Sequence, residues 1–421
     1  MTCAAPMLLL DAAALNLLLG VLFPIAGGWT LVLFLLTRLH RMTPKVPVAG
    51  RIEYQSEMIS VIVPARNEQA NIARNLDSLL AQDQPNLEII VVDDSSTDAT
   101  AQIARGYAES DRRITVISAG PPPPSWAGKT WTCHVGSGAA RGGWLLFTDA
   151  DTKHGRQSLS SSYAYASSLG LDLLSLVPLI ELKGWAAKAV TPILGFIIMI
   201  LYPIRSVNDP KSKLAYTFGS FTLIRRDAYR RIGGFEAVKG HIVEDRALGE
   251  VAKNAGIKIH IARGEHLVSS LWAEGLADIW RGLERVVSSS VAGKPAGGIA
   301  FAALSFAMWL LPLTVTLAIL SLIGGGAPFD PGLYAILGLS FYSYAAFIAS
   351  QGLHILRGYH AGKANLIFAP LGAVIFIGAL LSTAYKTSTG RPLIWKDRAY
   401  RNLVPNSKGQ QSRRERLSPD R

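Results

Sequence analysis

Cysteine and histidine are scarce in this chain. Its 421 residues hold two cysteines, Cys3 and Cys133, and eight histidines. One thiol sits at the extreme N-terminus, so there is no disulfide framework, and no Cys/His group has zinc-ligand spacing. These absences exclude a disulfide-stapled domain and fit a reducing, cytoplasmic compartment for the active region. Charge is also sparse, at 17% of residues against 49% hydrophobic ones. The mean hydropathy of +0.27 is high for a soluble protein. Acids are the minority sign: 42 basic and 30 acidic residues leave +12. Much of the basic excess flanks apolar runs, which points to a lipid bilayer with anionic headgroups as partner and to no nucleic acid.

The apolar residues concentrate in long runs at both ends. Residues 8–37 are long enough to span a bilayer, and Arg38, His40, Arg41, Lys45 and Arg51 follow at once. That basic cluster puts the C-terminal end of the run in the cytoplasm. No basic residue precedes the run, which together with its length argues against a cleaved signal peptide. Further spans are expected at about 299–323, 331–356 and 366–385. A shorter apolar piece, 192–202, lies inside an ordinary α/β composition. It reads as an in-plane interfacial helix or, equally, as a buried core helix. The expected organisation is a transmembrane anchor with a basic juxtamembrane segment (1–50), a catalytic domain with an interfacial helix near 188–204 (51–295), a C-terminal transmembrane region (296–386) and a basic tail (387–421). Three spans after a cytoplasmic domain would leave that tail outside. From Lys386 onward, however, ten Lys/Arg face three acids, a composition that favours the cytoplasm. One C-terminal segment is therefore expected to be re-entrant or in-plane, the last one first, because Pro370 lies near its start.

The middle of the chain alternates two patterns. Residues 59–64, 88–92, 114–118 and 144–148 read as strands, and 69–82, 97–108 and 130–140 as helices. This alternation implies right-handed crossovers and a mainly parallel sheet. Short apolar runs ending in acids are typical of buried parallel strands whose carboxyl ends face a cleft, where ligands sit in open α/β sheets. Asp93-Asp94 closes one such run, Asp149-Ala150-Asp151 a second, and Glu244-Asp245 follows about 90 residues later. An Asp-x-Asp puts two carboxylates on one side of an extended stretch, which suits a hard divalent cation carrying phosphate oxygens.

Four segments occur in order: Val61-Ile62-Val63-Pro64-Ala65-Arg66-Asn67-Glu68, Val91-Val92-Asp93-Asp94-Ser95-Ser96-Thr97-Asp98, Thr148-Asp149-Ala150-Asp151 and Val243-Glu244-Asp245. Together they resemble glycosyltransferase family 2, whose members are inverting enzymes. The resemblance covers about 55–290 and implies an α/β GT-A fold, Rossmann-like and mainly parallel, here flanked by transmembrane helices at both ends. Pro121–Pro124 leading into Trp126-Ala127-Gly128-Lys129-Thr130-Trp131, the segment 201–210, and the tail segment Arg391-Pro392-Leu393-Ile394-Trp395-Lys396-Asp397-Arg398-Ala399-Tyr400 look like the branch of hopanoid-associated and carotenoid glycosyltransferases. That branch often shows Trp-Lys-Gly-Arg, and this chain has Asp397 in the glycine position. Processive polysaccharide synthases carry Gln-x-x-Arg-Trp; Ile279-Trp280-Arg281-Gly282 lacks that pattern, which argues for a single transfer to one lipid.

The resemblance implies roles. Pro64, Ala65, Arg66 and Glu68 hold the uridine of a UDP-sugar. Asp94, with Asp93 as second choice, accepts the imide N–H of the base, and Lys129 reaches the diphosphate. Asp149 and Asp151 carry Mg²⁺ or Mn²⁺ and the diphosphate, Asp151 as the direct ligand. Asp245 is the catalytic base, with Glu244 as fallback. Each has a plainer alternative: helix-capping acids at Asp93-Asp94, surface charges at Arg66 and Lys129, loop acids at Asp149 and Asp151, and helix-start acids favoured by the dipole at Glu244-Asp245. The expected function is an inverting transfer to a hopanoid or carotenoid-like lipid by a protein of the bacterial inner membrane. A polyprenyl phosphate or a diacylglycerol/ceramide-type acceptor is the alternative, and a scaffold that retains the fold without activity is the reading of another class.

Overall fold

The computed structural model describes residues 12–48, 57–273, 275–291, 294–359, 362–396 and 398–400. Its elements gather into two compact units. One contains the described residues of 1–42, 182–197 and 294–385, and the other those of 43–181, 198–293 and 386–421.

The second unit is built on a seven-stranded sheet. The strands in chain order are β1 (Ile59–Ala65), β2 (Leu87–Asp93), β3 (Ile114–Ser118), β4 (Trp144–Phe147), β5 (Thr152–His154), β6 (Leu173–Val177), β7 (Leu179–Ile180), β8 (Thr222–Arg225), β9 (Ile259–Arg263) and β10 (Val268–Ser270). The large sheet runs β3-β2-β1-β4-β8-β6-β9, and β5-β10-β7 form a small one. β1 pairs in parallel with β2 and β4, while β8 is antiparallel to both β4 and β6. The sheet is thus mainly parallel with one reversed strand. The apolar runs are continuous because both faces are covered. Val61, Val63, Ile89, Val91 and Leu146 enter one core, and Ile62, Ile90, Val92, Leu145 and Phe147 the other.

The helices of this unit are α2 (Ile72–Leu80), α3 (Thr100–Ser110), α4 (Gly128–Ala139), α5 (Ser158–Ser168), the short α7 (Ile204–Asn208) and α8 (Arg226–Arg231), α9 (Glu244–Asn254) and α10 (Leu276–Val291). α3 starts three residues later than the spacing predicts. The Asp98 side chain accepts the Thr100 N–H (3.0 Å), while the Thr97 N–H turns to Asn67 Oδ1 (2.9 Å). The Ser-Ser-Thr-Asp segment is therefore a loop tied to the end of β1. A C-terminal hairpin of β11 (Leu393–Trp395) and β12 (Arg398–Tyr400) completes the unit.

The other unit is helical: α1 (Ala12–Met42), most of α6 (Gly184–Leu201), α11 (Pro295–Trp309), α12 (Leu311–Gly324), α13 (Pro331–His354) and most of α14 (Ala369–Thr389). Among the described residues four helices are long and apolar enough to cross a membrane, α6 among them; α11 and α12 form a pair bent by 44°. The continuous run expected at 299–323 is thus broken. Pro312 is the reason, since a proline donates no N–H to the carbonyl four residues back and its ring crowds that oxygen. The orphaned Met308 carbonyl accepts the Trp29 indole N–H instead (2.9 Å). Pro370, by contrast, falls in the first turn of α14, where no N–H is needed.

Candidate active site

The carboxyl ends of β1, β2 and β4 open onto a cavity of about 580 Å³. Pro64, Ala65, Arg66 and Glu68 line it from the end of β1, Asp94 from the end of β2, and Asp149 and Asp151 from the end of β4. Lys129 enters from the first turn of α4, and Pro64, Lys129 and Asp149 also line a second, small cavity shared with Glu244 and Asp245. The expected residues therefore come together, with one exception. Asp93 turns away and accepts the Ser96 N–H at 3.3 Å, which is the loop-capping role.

The lysine sits at the centre. Its Nζ is 2.5 Å from Asp149 Oδ1 and 2.5 Å from Glu244 Oε1. Burial alone would lower the ammonium, but the two carboxylates outweigh it and hold Lys129 well above its ordinary value. Lys129 is thus no solvated surface charge, and Glu244, at 4% exposure, is its counter-ion. Asp245 faces the same point from the start of α9. Its Oδ2 accepts the Gly219 N–H (3.0 Å) and its Oδ1 the Arg246 N–H (2.7 Å). Burial first, and then the Glu244 charge, push Asp245 up to about 6. Gly219 marks where these groups converge. A Cβ there would lie 3.2 Å from Lys129 Nζ and 3.4 Å from Oδ2 of both Asp149 and Asp245.

Asp151 is half-buried beside like charges. Burial, Asp149 and Glu68 push it up to about 8, and the Ser270 hydroxyl donates to its Oδ1 at 3.1 Å. A carboxyl raised by its neighbours' charge is one that a cation would re-ionise. Among the described residues no group of three or more His, Cys, Asp or Glu side chains forms a cage. Two carboxylates plus phosphate oxygens and water nonetheless make an ordinary Mg²⁺ shell, so Asp149 and Asp151 fit a cation shared with a diphosphate.

Two charged cavity residues that sequence reasoning gave no site role, Lys396 and Arg398, contact the expected ones. Arg66 donates to the Asp94 carbonyl oxygen (2.7 Å) and to that of Lys396 (3.1 Å). Lys396 pairs with Glu68 (2.7 Å), and Arg398 grips Asp94 through both nitrogens (2.6 and 2.8 Å). Both Asp94 oxygens are engaged, although a carboxylate keeps further lone pairs. The sequence signals for Lys396 and Arg398 are the basic excess of the tail and its Trp-Lys-x-Arg resemblance, neither of which says what they contact.

Residues 60–233 match the family model described as glycosyl transferase family 2. Two curated relatives, both 4,4'-diaponeurosporenoate glycosyltransferases of Staphylococcus aureus, are 26% identical. The strain USA300 protein aligns over 250 residues, 58% of this chain and 64% of its own length. The strain N315 protein aligns over 261 residues, 61% of this chain and 66% of its own length. The chain thus spans just under two thirds of these relatives. Among solved structures, a mannosyltransferase from Pyrobaculum calidifontis in complex with GDP-Man and Mn²⁺ aligns at 18% identity and a TM-score of 0.47, covering 88% of this chain and 99% of that one. S. aureus TarS 1–349 in complex with UDP-GlcNAc aligns at 17% and 0.38, covering 83% and 97%.

Proposed function

We propose that this chain, whose residues 60–233 form a family 2 glycosyltransferase domain of GT-A fold, moves a sugar from a UDP-sugar to the hydroxyl of a membrane isoprenoid lipid. The convergence of Lys129, Asp149 and Asp245 on Gly219 carries the reading. The acceptor hydroxyl gives its proton to Asp245 as its oxygen attacks the anomeric carbon, and the bond from that carbon to the UDP oxygen breaks on the opposite face. A base poised near neutrality suits the step. Burial and the Glu244 charge supply that basicity, while the single charge of Lys129, shared between Glu244 and Asp149, offsets part of the repulsion among the three carboxylates. Mg²⁺ or Mn²⁺ at Asp151 and Asp149 would offset charge on the departing diphosphate. The 4,4'-diaponeurosporenoate glycosyltransferase relatives support a carotenoid-like acceptor, a hopanoid being the other isoprenoid lipid proposed, and either is a molecule whose extraction into water is costly.

The apolar helices supply the anchor, and the basic cluster after α1 favours a cytoplasmic catalytic domain. α6 is long enough to span, but β6 before it and β8 after it are paired in one sheet. A single crossing would put those strands on opposite sides of the membrane, so α6 lies in the interface or returns to the side it left.

The test is label transfer from a panel of radiolabelled UDP-sugars into organic-extractable product by protein in native-lipid nanodiscs with Mn²⁺ or Mg²⁺. Transfer that disappears in Asp151→Ala supports the reading. Nucleotide binding with turnover only on polyprenyl phosphate or diacylglycerol would replace the acceptor. Neither binding nor turnover with any UDP-sugar would refute it.

A further inference from the structure

We propose that the C-terminal hairpin is a wall of the nucleotide-sugar site, with Arg398 as a positioning residue that fixes the nucleotide loops; this rests on the glycosyltransferase reading above. The tail follows the last apolar helix and is more than 300 positions from the loops it touches, yet its contacts are to those loops. Arg398 holds Asp94 at the end of β2 through a two-nitrogen fork, and Lys396 holds Glu68 after β1. Arg66 bridges them, donating to the Lys396 and Asp94 carbonyl oxygens. The hairpin is fixed from behind by Arg285 of α10, whose guanidinium lies 4.3 Å from the Trp395 ring centre.

Two further observations separate a working wall from a chance surface contact. The first is Gly128. A Cβ there would collide with Arg398 Nη1 and fall 3.0 Å from Asp94 Oδ2. The bare backbone beside Lys129 is therefore what lets the Arg398 fork reach Asp94. The second is charge. Without the hairpin, four basic side chains (Arg66, Lys129, Arg281 and Arg285) and five acidic ones line the large cavity. Lys396 and Arg398 raise the basic side chains to six, a shift toward positive charge that favours a nucleoside diphosphate.

Stability is a poor explanation for the contacts. Strands of three residues do not sustain a sheet, and partly exposed ion pairs contribute little to folding. A bidentate arginine gives geometry that lysine does not reproduce. Holding Asp94 and Glu68 in one orientation lowers the ordering cost of nucleotide binding.

The experiment measures UDP affinity by calorimetry, and donor KM and kcat, for the full chain in nanodiscs. The variants are Arg398→Ala, Arg398→Lys and Gly128→Ala, each checked by thermal melting. The expected result is a UDP Kd and donor KM raised at least tenfold in Arg398→Ala and Gly128→Ala. kcat and the lipid KM should move less than threefold, Arg398→Lys should recover only part, and all melting points should stay near wild type. Gly128→Ala keeps every charge, so its loss of affinity isolates the fork geometry. Wild-type UDP affinity in Arg398→Ala overturns the proposal and leaves the glycosyltransferase reading intact. A raised lipid KM with unchanged UDP affinity overturns it in favour of an acceptor role. Absence of UDP binding and turnover in the wild type overturns the glycosyltransferase reading, and this proposal with it.

Discussion

Replacing Asp245 with asparagine separates catalysis from folding. The base must be ionised to take a proton, and burial with the Glu244 charge beside it holds Asp245 at about 6. The rate should therefore rise with pH through 6 and level off above it. At pH 5 roughly a tenth of the free enzyme has Asp245 ionised, so kcat/KM should fall about tenfold from its plateau. Asp245→Asn should lower kcat by about 10²–10⁴-fold, the usual worth of a general base, and flatten this limb of the profile. Stability should move the other way. The folded pKa lies above the ordinary carboxyl value of 3.8, so the folded state binds the proton more tightly than the unfolded chain does. Stability is then greatest at low pH, declines as pH rises from about 4 to 6, and stays reduced above that. Asparagine carries no charge to bury and still presents an oxygen to the Gly219 N–H. The variant should melt at or above the wild-type temperature at pH 7.5. Label-transfer rates between pH 4.5 and 8, with melting curves at the same points, test both halves. Near-wild-type turnover in Asp245→Asn, or a limb unchanged by it, would refute the assignment.

Gly219→Val should reduce turnover at least tenfold in the label-transfer assay, because its methyls enter the point shared by Lys129, Asp149 and Asp245; Gly219→Ala should lie between it and wild type, and full activity in the valine variant would mean that the reacting groups do not meet there. Single cysteines at Ser212 and at Ser388, in a Cys3→Ser/Cys133→Ser background, should react with a membrane-impermeant maleimide only after spheroplasts are opened. Labelling of Ser388→Cys in sealed spheroplasts would place the tail outside and contradict the hairpin contacts.

Where local pattern and burial agree, the sequence is readable. β1, β2 and β4 are largely apolar on both faces, and β2 and β4 run into acids. Their order in the sheet comes from the fold, but the buried strands and the cleft at their carboxyl ends are legible in the sequence. The reversed strand is not. Thr222–Arg225 is four residues with nothing local to give its direction, which is set by pairing between β4 and β6. Glu244 illustrates the same limit at the site. Next to Asp245 it reads as a fallback base, and only the fold shows that it is buried against Lys129. The Ser-Ser-Thr-Asp segment has the composition of a helix start, yet Asn67 and Gln69 reach across from the β1 loop and draw its backbone into a turn. In each case a partner distant in sequence overrides a local preference.

The tail's side of the membrane follows from the same kind of contact. Arg398 and Lys396 are bonded to Asp94 and Glu68, so the chain after α14 lies on the side of the catalytic sheet. The number of crossings between α10 and the hairpin must then be even. α13 and α14 each have the length and apolarity of a full span, and we propose that the bent pair α11–α12 enters and returns without crossing. Its 44° bend between Trp309 and Leu311, at the turn that holds Pro312, is the feature that would permit this. The positive tail then falls where the positive-inside tendency puts it.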